Sequence, residues 1–130
     1  MANDSSDFAR SMAIATSGLR AQAGRMRVIS ENIANADSTS QTAGGDPYRR
    51  KVPTFSSALD RTLDAQVVTL GRIKPDQSNF RVKYEPSNPA ADASGNVKYP
   101  NVNSLVEMTD MRNAPDDPAH ARYPQDLTGN

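Results

Sequence analysis

Apolar residues in the first part of the chain recur at alternating steps of four and three residues. Eight of the nine positions in this series are apolar, and we call the series the seam: Phe8, Met12, Ala15, Leu19, Gln22, Met26, Ile29, Ile33 and Ala36. Such spacing is typical of a coiled-coil helix, sustained here for about four heptads. Ser5, Ser6 and Asp7 offer N-cap oxygens where the series starts. The pattern predicts an N-terminal coiled-coil helix over residues 1–37.

The predicted helix is too long to be covered by its own domain. About 30 residues of α-helix extend roughly 45 Å, which exceeds the diameter expected for a compact chain of this size. No second heptad stripe of comparable length follows it in the sequence. A seam ordinarily packs on the core of its own domain, and the alternative is that it is exposed or filled by another chain. The length of the helix and the absence of a matching stripe favour assembly with another chain.

Proline divides the sequence, because the first 46 residues contain none and the remaining 84 contain all nine. We therefore expect a loop and a small β-containing body over residues 38–103. The β-branched segment 67–73 and the alternating segment 80–84 predict two half-buried strands of one small sheet, with a wet and positive face. Residues 55–63 predict a short helix, and residues 97–99 predict a brief extended piece.

A second, shorter helix is predicted over residues 104–114, and the prolines at 115 and 118 end it. Ser104 and Glu107 have the spacing of a capping box at its start. Three apolar side chains fall along one face of this helix: Leu105, Met108 and Met111. Residues 115–130 predict a disordered acidic tail. The expected fold class is therefore mainly α with a small β portion.

Composition narrows the classes of protein that fit. The chain of 130 residues has 15 basic and 15 acidic side chains and no Cys, and Leu, Ile, Val and Phe supply only 21 residues. No stretch has the roughly 18 consecutive apolar residues of a membrane span, and the polar, acidic N-terminus is unlike a cleavable signal peptide. A neutral charge balance argues against nucleic acid as a partner. The thin apolar content indicates half of a core that is shared with neighbouring chains.

Catalytic chemistry finds little support in the sequence. His120 is the single His and lies between prolines, where no predicted element would orient it for catalysis. Side chains able to ligate a metal are present at Asp116, Asp117 and His120, but a solvated acidic tail is the better interpretation. We therefore expect no enzyme activity, no cofactor and no metal. The basic segment Arg49-Arg50-Lys51 is expected to dock onto an acidic neighbouring subunit.

Two motifs in the first 40 residues carry a resemblance to a known family. The runs Ser17-Gly18-Leu19-Arg20-Ala21-Gln22 and Asn32-Ile33-Ala34-Asn35-Ala36-Asp37 resemble the N-terminal motif shared by bacterial flagellar rod and hook proteins. The segments Pro47-Tyr48-Arg49-Arg50-Lys51 and Tyr99-Pro100-Asn101-Val102-Asn103, with Glu107-Met108-Thr109-Asp110-Met111, are similar to those of its proximal-rod members. The resemblance covers about residues 8 to 112.

The resemblance implies a structural subunit of the proximal rod, the drive shaft of the flagellar basal body used in motility. It implies partners among other rod proteins and copies of the same chain, and passage through the flagellar type III export apparatus to a periplasmic rod, without membrane insertion. Six positions would be subunit contacts: Leu19, Met26, Ile29, Asn32, Ile33 and Asn35. The amides of Asn32 and Asn35, near a helix end, can satisfy open backbone carbonyls or bond a neighbouring chain.

The chain departs from the family pattern at Arg112. The family continues the second helix for several turns with an apolar stripe that completes the coiled coil, whereas this sequence turns polar and rich in proline. A shortened or frame-shifted product would explain this departure, as would complete dependence on neighbours to cover the seam. The alternative function is that of an adaptor, or a non-functional truncated rod protein, whose helix docks in a partner's groove through Leu19, Met26 and Ile33.

Overall fold

A computed structural model of the chain describes residues 4–62 and 64–112. Its elements follow in chain order: α1 (Asp4–Ala34), β1 (Lys51–Asp60), β2 (Ala65–Pro75), β3 (Arg81–Tyr84), β4 (Asn96–Tyr99) and α2 (Ser104–Arg112). This confirms a long N-terminal helix, small antiparallel sheets and a short second helix. The predicted tail over residues 115–130, with Asp116, Asp117 and His120, lies outside the described residues.

Helix α1 spans 31 residues, about 46 Å at 1.5 Å per residue, and its end carries hydrogen bonds from both backbone and side chains. The carbonyl of Glu31 accepts the backbone N–H of Asn35 at 3.1 Å and Asn35 Nδ2 at 2.9 Å. The hydroxyl of Ser38 donates to the carbonyl of Asn35 at 3.0 Å in the turn that follows. The Asn35 amide therefore adds a second hydrogen bond to a carbonyl in the last turn of the helix.

Strands β1 and β2 form an antiparallel hairpin, in register from Lys51 opposite Pro75 to Asp60 opposite Ala65, with a bulge between Pro53 and Phe55. The predicted helix over residues 55–63 is therefore wrong. Residues 55–59 pair with the β-branched segment of β2, and a strand pair with such a partner is more stable than an isolated helical turn and a half.

The hairpin lies along α1. Gly24 of α1 is buried, and a Cβ placed there would lie 2.5 Å from Leu70 Cδ2, so glycine allows the close approach of strand and helix. Further toward the start of α1, the backbone N–H of Val68 donates to the hydroxyl of Ser17 at 3.2 Å. The contact covers one side of the helix only.

Strand β3 pairs with β4 and not with β2, so the single sheet predicted from segments 67–73 and 80–84 is wrong. Val97 and Tyr99 of β4 are buried, and Lys83 of β3 covers them, with its Nζ 4.7 Å from the Tyr99 ring centre. Val82 and Tyr84 are 59% and 71% exposed. All four side chains of β3 are exposed, and the pairing of Arg81 with Tyr99 and of Lys83 with Val97 places both cations on the face of the aromatic ring, which attracts them.

Helix α2 is capped by Asn103, whose Oδ1 accepts from the backbone N–H groups of Leu105 and Val106 at 3.1 and 3.4 Å. The predicted capping box of Ser104 and Glu107 is therefore wrong. An N-cap one residue earlier makes Glu107 the fourth helical residue, and its carboxylate is completely buried instead of reaching back to the helix start.

Candidate subunit-contact surface and the polar joint beneath it

Over most of its length the seam lies on a different side of α1 from the face that packs against its own chain, and the two meet at Ile29, which is buried. Arg25 is fully buried, whereas Met26, about 100° further round, is half-buried. In the first half of the helix the seam is open, because Phe8, Met12 and Leu19 are 67%, 51% and 71% exposed. The remaining buried side chains of α1 are Ala21, Val28, Ile29 and Asn32.

The six predicted contact residues fall into two groups. Leu19 is exposed, and Met26 and Ile33 are half-buried, so these three present apolar surface along the seam. Ile29 and Asn32 are buried within the chain itself. The remaining residue, Asn35, is half-buried and uses its amide on the end of α1. The structure thus brings three of the six to an outward surface and the other three to the support beneath it.

Asn32 is the centre of a buried polar cluster, which we call the polar joint. Its Nδ2 donates to the carbonyl of Lys51 at 2.9 Å and to Glu107 Oε1 at 2.6 Å. Its Oδ1 accepts from the hydroxyl of Tyr48 at 2.6 Å and from the backbone N–H of Lys51 at 3.0 Å. Because a side-chain amide has two donor hydrogens and one acceptor oxygen, its bonding capacity is fully used. Asn32 therefore joins α1, the loop before β1, and α2.

Arg50 joins the same cluster from the loop side and is 4% exposed. Its Nε and Nη2 donate to the two carboxylate oxygens of Glu107, both at 3.3 Å, and its Nη1 donates to Asp76 Oδ2 at 3.2 Å. The backbone N–H of Arg50 donates to Asn101 Oδ1 at 2.7 Å, which adds the segment before α2. The polar joint comprises Asn32, Tyr48, Arg50, Asp76, Asn101 and Glu107.

The basic segment Arg49-Arg50-Lys51 makes contacts within the chain, and the expected docking of this segment onto an acidic neighbour stays a prediction. Arg49 Nη1 donates to the carbonyls of Asp76 and Ser78 at 2.7 and 2.9 Å. Lys51 pairs with Glu31, and Arg50 is buried in the polar joint. The three charges stabilise the fold because the acceptors nearest to them belong to the same chain.

Arg25 forms a second buried contact beneath α2. Its Nη2 donates to the backbone carbonyl of Asp110, while its Nε and Nη1 have no hydrogen-bond partner among the described residues. Burial lowers the pKa of the Arg25 guanidinium, against the opposing charges of Asp110 and then Glu107. Burial, followed by the charge of Glu107, raises the pKa of the Asp110 carboxyl. Both charges are thus held at a cost of desolvation.

The carboxylates nearer the surface are stabilised in their ionised form. Burial alone would raise the pKa of Asp76, but hydrogen bonds from the Ser78 backbone and side chain, then from Arg50, bring it below the ordinary value. The hydrogen bond from Lys51 lowers the pKa of Glu31, and burial raises the pKa of the Tyr48 phenol. At neutral pH Asp76 and Glu31 are therefore ionised and Tyr48 is neutral.

Sequence reasoning missed the partners of Asn32. Arg25 and Asn32 are seven residues apart on α1, and Glu107 and Asp110 are three apart on α2, so each pair lies on one helix face. That spacing was the available signal. The sequence instead predicts Asn32 as a subunit contact and Glu107 as part of a capping box, so neither expectation pairs the two residues.

The surface and the joint offer structural contacts and show no arrangement for catalysis. Within residues 4–62 and 64–112, no group of three or more His, Cys, Asp or Glu side chains is placed to hold a metal ion. The described helices include none that is long and apolar enough to cross a membrane.

The sequence of the chain is similar to those of known proteins. Residues 12–40 match the family model described as flagella basal body rod protein. The chain is 54% identical over 101 residues to the flagellar basal-body rod protein FlgC of Agrobacterium fabrum, covering 78% of this chain and 73% of that one. It is 39% identical over 122 residues to FlgC of Borreliella burgdorferi, covering 80% and 79% of the two chains. FlgC of Bacillus subtilis is 37% identical over 116 residues, covering 78% and 77%.

Proposed function

Because the chain belongs to the FlgC family of flagellar basal-body rod proteins, and is thus a structural subunit of that rod, we propose that it polymerises through the open seam of α1. Its partners would be copies of itself and other proteins of the proximal rod. It would reach the periplasmic rod through the flagellar type III export apparatus, without inserting in the membrane, and serve there as part of the drive shaft for motility.

The exposed seam is the observation that carries this proposal. Phe8, Met12 and Leu19 leave more than half of their surface open on the part of α1 that precedes Ala21, its first buried residue among those described. A row of large apolar side chains on a soluble surface marks a contact site. Transfer of each such side chain into an interface contributes about 1.5–3 kcal/mol. Coiled-coil packing between subunits would bury the row, and Met26 and Ile33 would extend it.

Helix α2 adds a second outward apolar surface. Leu105 and Met108 are 73% and 53% exposed, whereas Glu107 on the other side of the helix is fully buried. We infer that these two residues take part in the same assembly. The buried Asn32 and the half-buried Asn35 would act indirectly, because they hold the end of α1 and its neighbours in place.

The proposed division of labour follows the elements. Residues 1–37 would form the rod core, residues 38–103 a body that positions it, and residues 104–114 a short helix beside it. Torque would pass through non-covalent packing, with no bond made or broken, so no enzyme activity is proposed. The adaptor alternative is not favoured, because the similar proteins are rod proteins by name.

The experiment compares Leu19→Gln with Ala9→Gln, an exposed position about 100° round from Phe8 and off the seam. Self-association is measured by sedimentation velocity, and rod formation by motility of a strain that lacks its own copy. Loss of one buried leucine, about 1.5–3 kcal/mol, predicts association weakened about 10- to 100-fold for Leu19→Gln. The Ala9→Gln control should associate like the parent. Equal association and motility for the two variants would contradict the proposal.

A further inference from the structure

Helix α2 rests on α1 through its polar side. Glu107 and Asp110, one turn apart, are buried at 0% and 9% exposure, and Leu105 and Met108 face outward. In an ordinary amphipathic helix the apolar side is buried and holds the helix in place. The attachment of α2 therefore depends on specific polar partners, which are provided by α1 and by the loop before β1.

The partners form a socket of three residues: Arg25, Asn32 and Arg50. Asn32 donates to the Glu107 carboxylate at 2.6 Å, and Arg50 donates to both of its oxygens. Arg25, seven residues earlier on α1, donates to the carbonyl of Asp110, three residues later on α2. The contacts thus advance in opposite directions along the two helices, so α2 runs antiparallel to α1.

A shift of α2 along α1 by one turn, about 5.4 Å, would break these contacts while the groups stayed buried. Arg50 would lose both hydrogen bonds to Glu107, and Glu107 would lose every partner that the structure shows for it. An unpaired buried charge is far more costly than a mismatch of apolar side chains, which repack after a shift. A buried polar contact is thus well suited to select one register among several.

We propose that the socket of Arg25, Asn32 and Arg50 is a register key, which admits Glu107 and Asp110 at one axial position and so fixes α2 on α1. The key rests on the proposed function in one respect: the register sets how Leu105 and Met108 line up with the open seam for a neighbouring subunit. It concerns the single chain and is measurable without assembly.

The test measures the distance between spin labels on α1 and α2. The chain has no Cys, so Ser11→Cys and Thr109→Cys, both exposed and outside the key, place one label on each helix. Ser11 lies 14 residues from Arg25, about 21 Å along the helix, so a change of register changes the distance directly. Pulsed electron–electron double resonance is recorded on three samples: the labelled full chain, the same chain with Arg50→Met and Glu107→Leu, and the same chain with Leu105→Gln.

The labelled parent should give one narrow distance. Arg50→Met with Glu107→Leu removes both charges, so helix content measured by circular dichroism should be kept while the distribution broadens and gains a population displaced by about 5 Å. Leu105→Gln should keep the narrow distance of the parent and weaken self-association.

A single unshifted distance in the Arg50→Met, Glu107→Leu chain would overturn the register key, and so would a parent without a defined distance or a double variant that loses its helix content. Loss of the narrow distance in Leu105→Gln would also count against it, because register would then depend on apolar surface. If the distances behave as expected but Leu105→Gln leaves self-association unchanged, the register key stands and the proposed part of Leu105 and Met108 in assembly fails, while Leu19→Gln tests the seam separately.

Discussion

Replacement of Glu107 by leucine tests whether the polar joint, and not apolar burial, holds α2 in place. Glu107 is fully buried and accepts one hydrogen bond from Asn32 and two from Arg50. Leucine has similar volume and keeps the helix propensity, so the change removes charge and acceptors with little change of shape. Hydrophobic transfer alone would make Glu107→Leu neutral or stabilising.

The structure predicts instead that Glu107→Leu lowers the free energy of unfolding. Without the carboxylate, Arg50 Nε and Nη2 and one hydrogen of the Asn32 amide lose their acceptor inside the fold. Breaking a buried ion pair by removal of one partner costs about 3–5 kcal/mol. Arg50 keeps Asp76 at 3.2 Å, which places the expected loss at the lower end, about 3 kcal/mol.

The assay is urea unfolding followed by far-ultraviolet circular dichroism, with hydrogen exchange at the α2 amides. With an m-value of about 1.5 kcal/mol per M, a loss of about 3 kcal/mol lowers the unfolding midpoint by about 2 M. Met108→Leu is the matched control, since it changes an exposed side chain on the same helix and should stay within about 0.5 kcal/mol of the parent. A loss below about 1 kcal/mol for Glu107→Leu, with exchange in α2 unchanged, would refute the reasoning.

Further predictions concern two glycines and one carboxylate. Gly95→Ala should lower the free energy of unfolding by about 1–3 kcal/mol, because Gly95 has a φ of 85° and a Cβ there would lie 2.8 Å from the Tyr84 ring. Gly18→Ala adds a Cβ with no atom within 4 Å and should raise the free energy of unfolding by up to about 1 kcal/mol. Urea unfolding of the two variants should therefore show midpoints shifted in opposite directions. The pKa of Asp76 is lower in the folded state than in the unfolded state, so the ionised carboxylate stabilises the fold above the unfolded-state pKa, and this stability is lost as the pH falls through the folded-state pKa. Asp76→Asn should therefore make the free energy of unfolding depend less steeply on pH on the acid side. An unchanged slope would contradict this.

The parts of the fold that followed from sequence are those governed by long, regular patterns. The seam predicted a helix over residues 1–37, and α1 occupies Asp4–Ala34. The β-branched segment 67–73 predicted a strand, and β2 spans Ala65–Pro75. Segment 55–63 was predicted as a helix because its own residues carry weak preferences, whereas its conformation is decided by pairing with β2.

The candidate site was predictable only in its outer layer. Leu19 and Met26 belong to the heptad repeat of the seam, which is visible in the sequence. Leu19 is exposed and Met26 is half-buried. The polar joint depends on contacts between residues far apart in sequence, such as Asn32 with Glu107 and Arg50 with Glu107, which no local pattern encodes. Geometry between elements was needed to find them.

Strand β3 was expected to bury its apolar side, and helix α2 likewise has its apolar side chains outward. Rules of amphipathicity assume that a chain buries its apolar side, whereas here Glu107 and Asp110 turn inward on α2, and all four side chains of β3 are exposed. The chain has only 21 Leu, Ile, Val and Phe residues, and few of those that the structure describes are buried within it. Ion pairs and amides then specify the fold of the single subunit, and in the proposed function the exposed apolar side chains contact neighbours in the rod. Glu107→Leu and Leu19→Gln separate these two roles, since the first should act on the subunit and the second on its assembly.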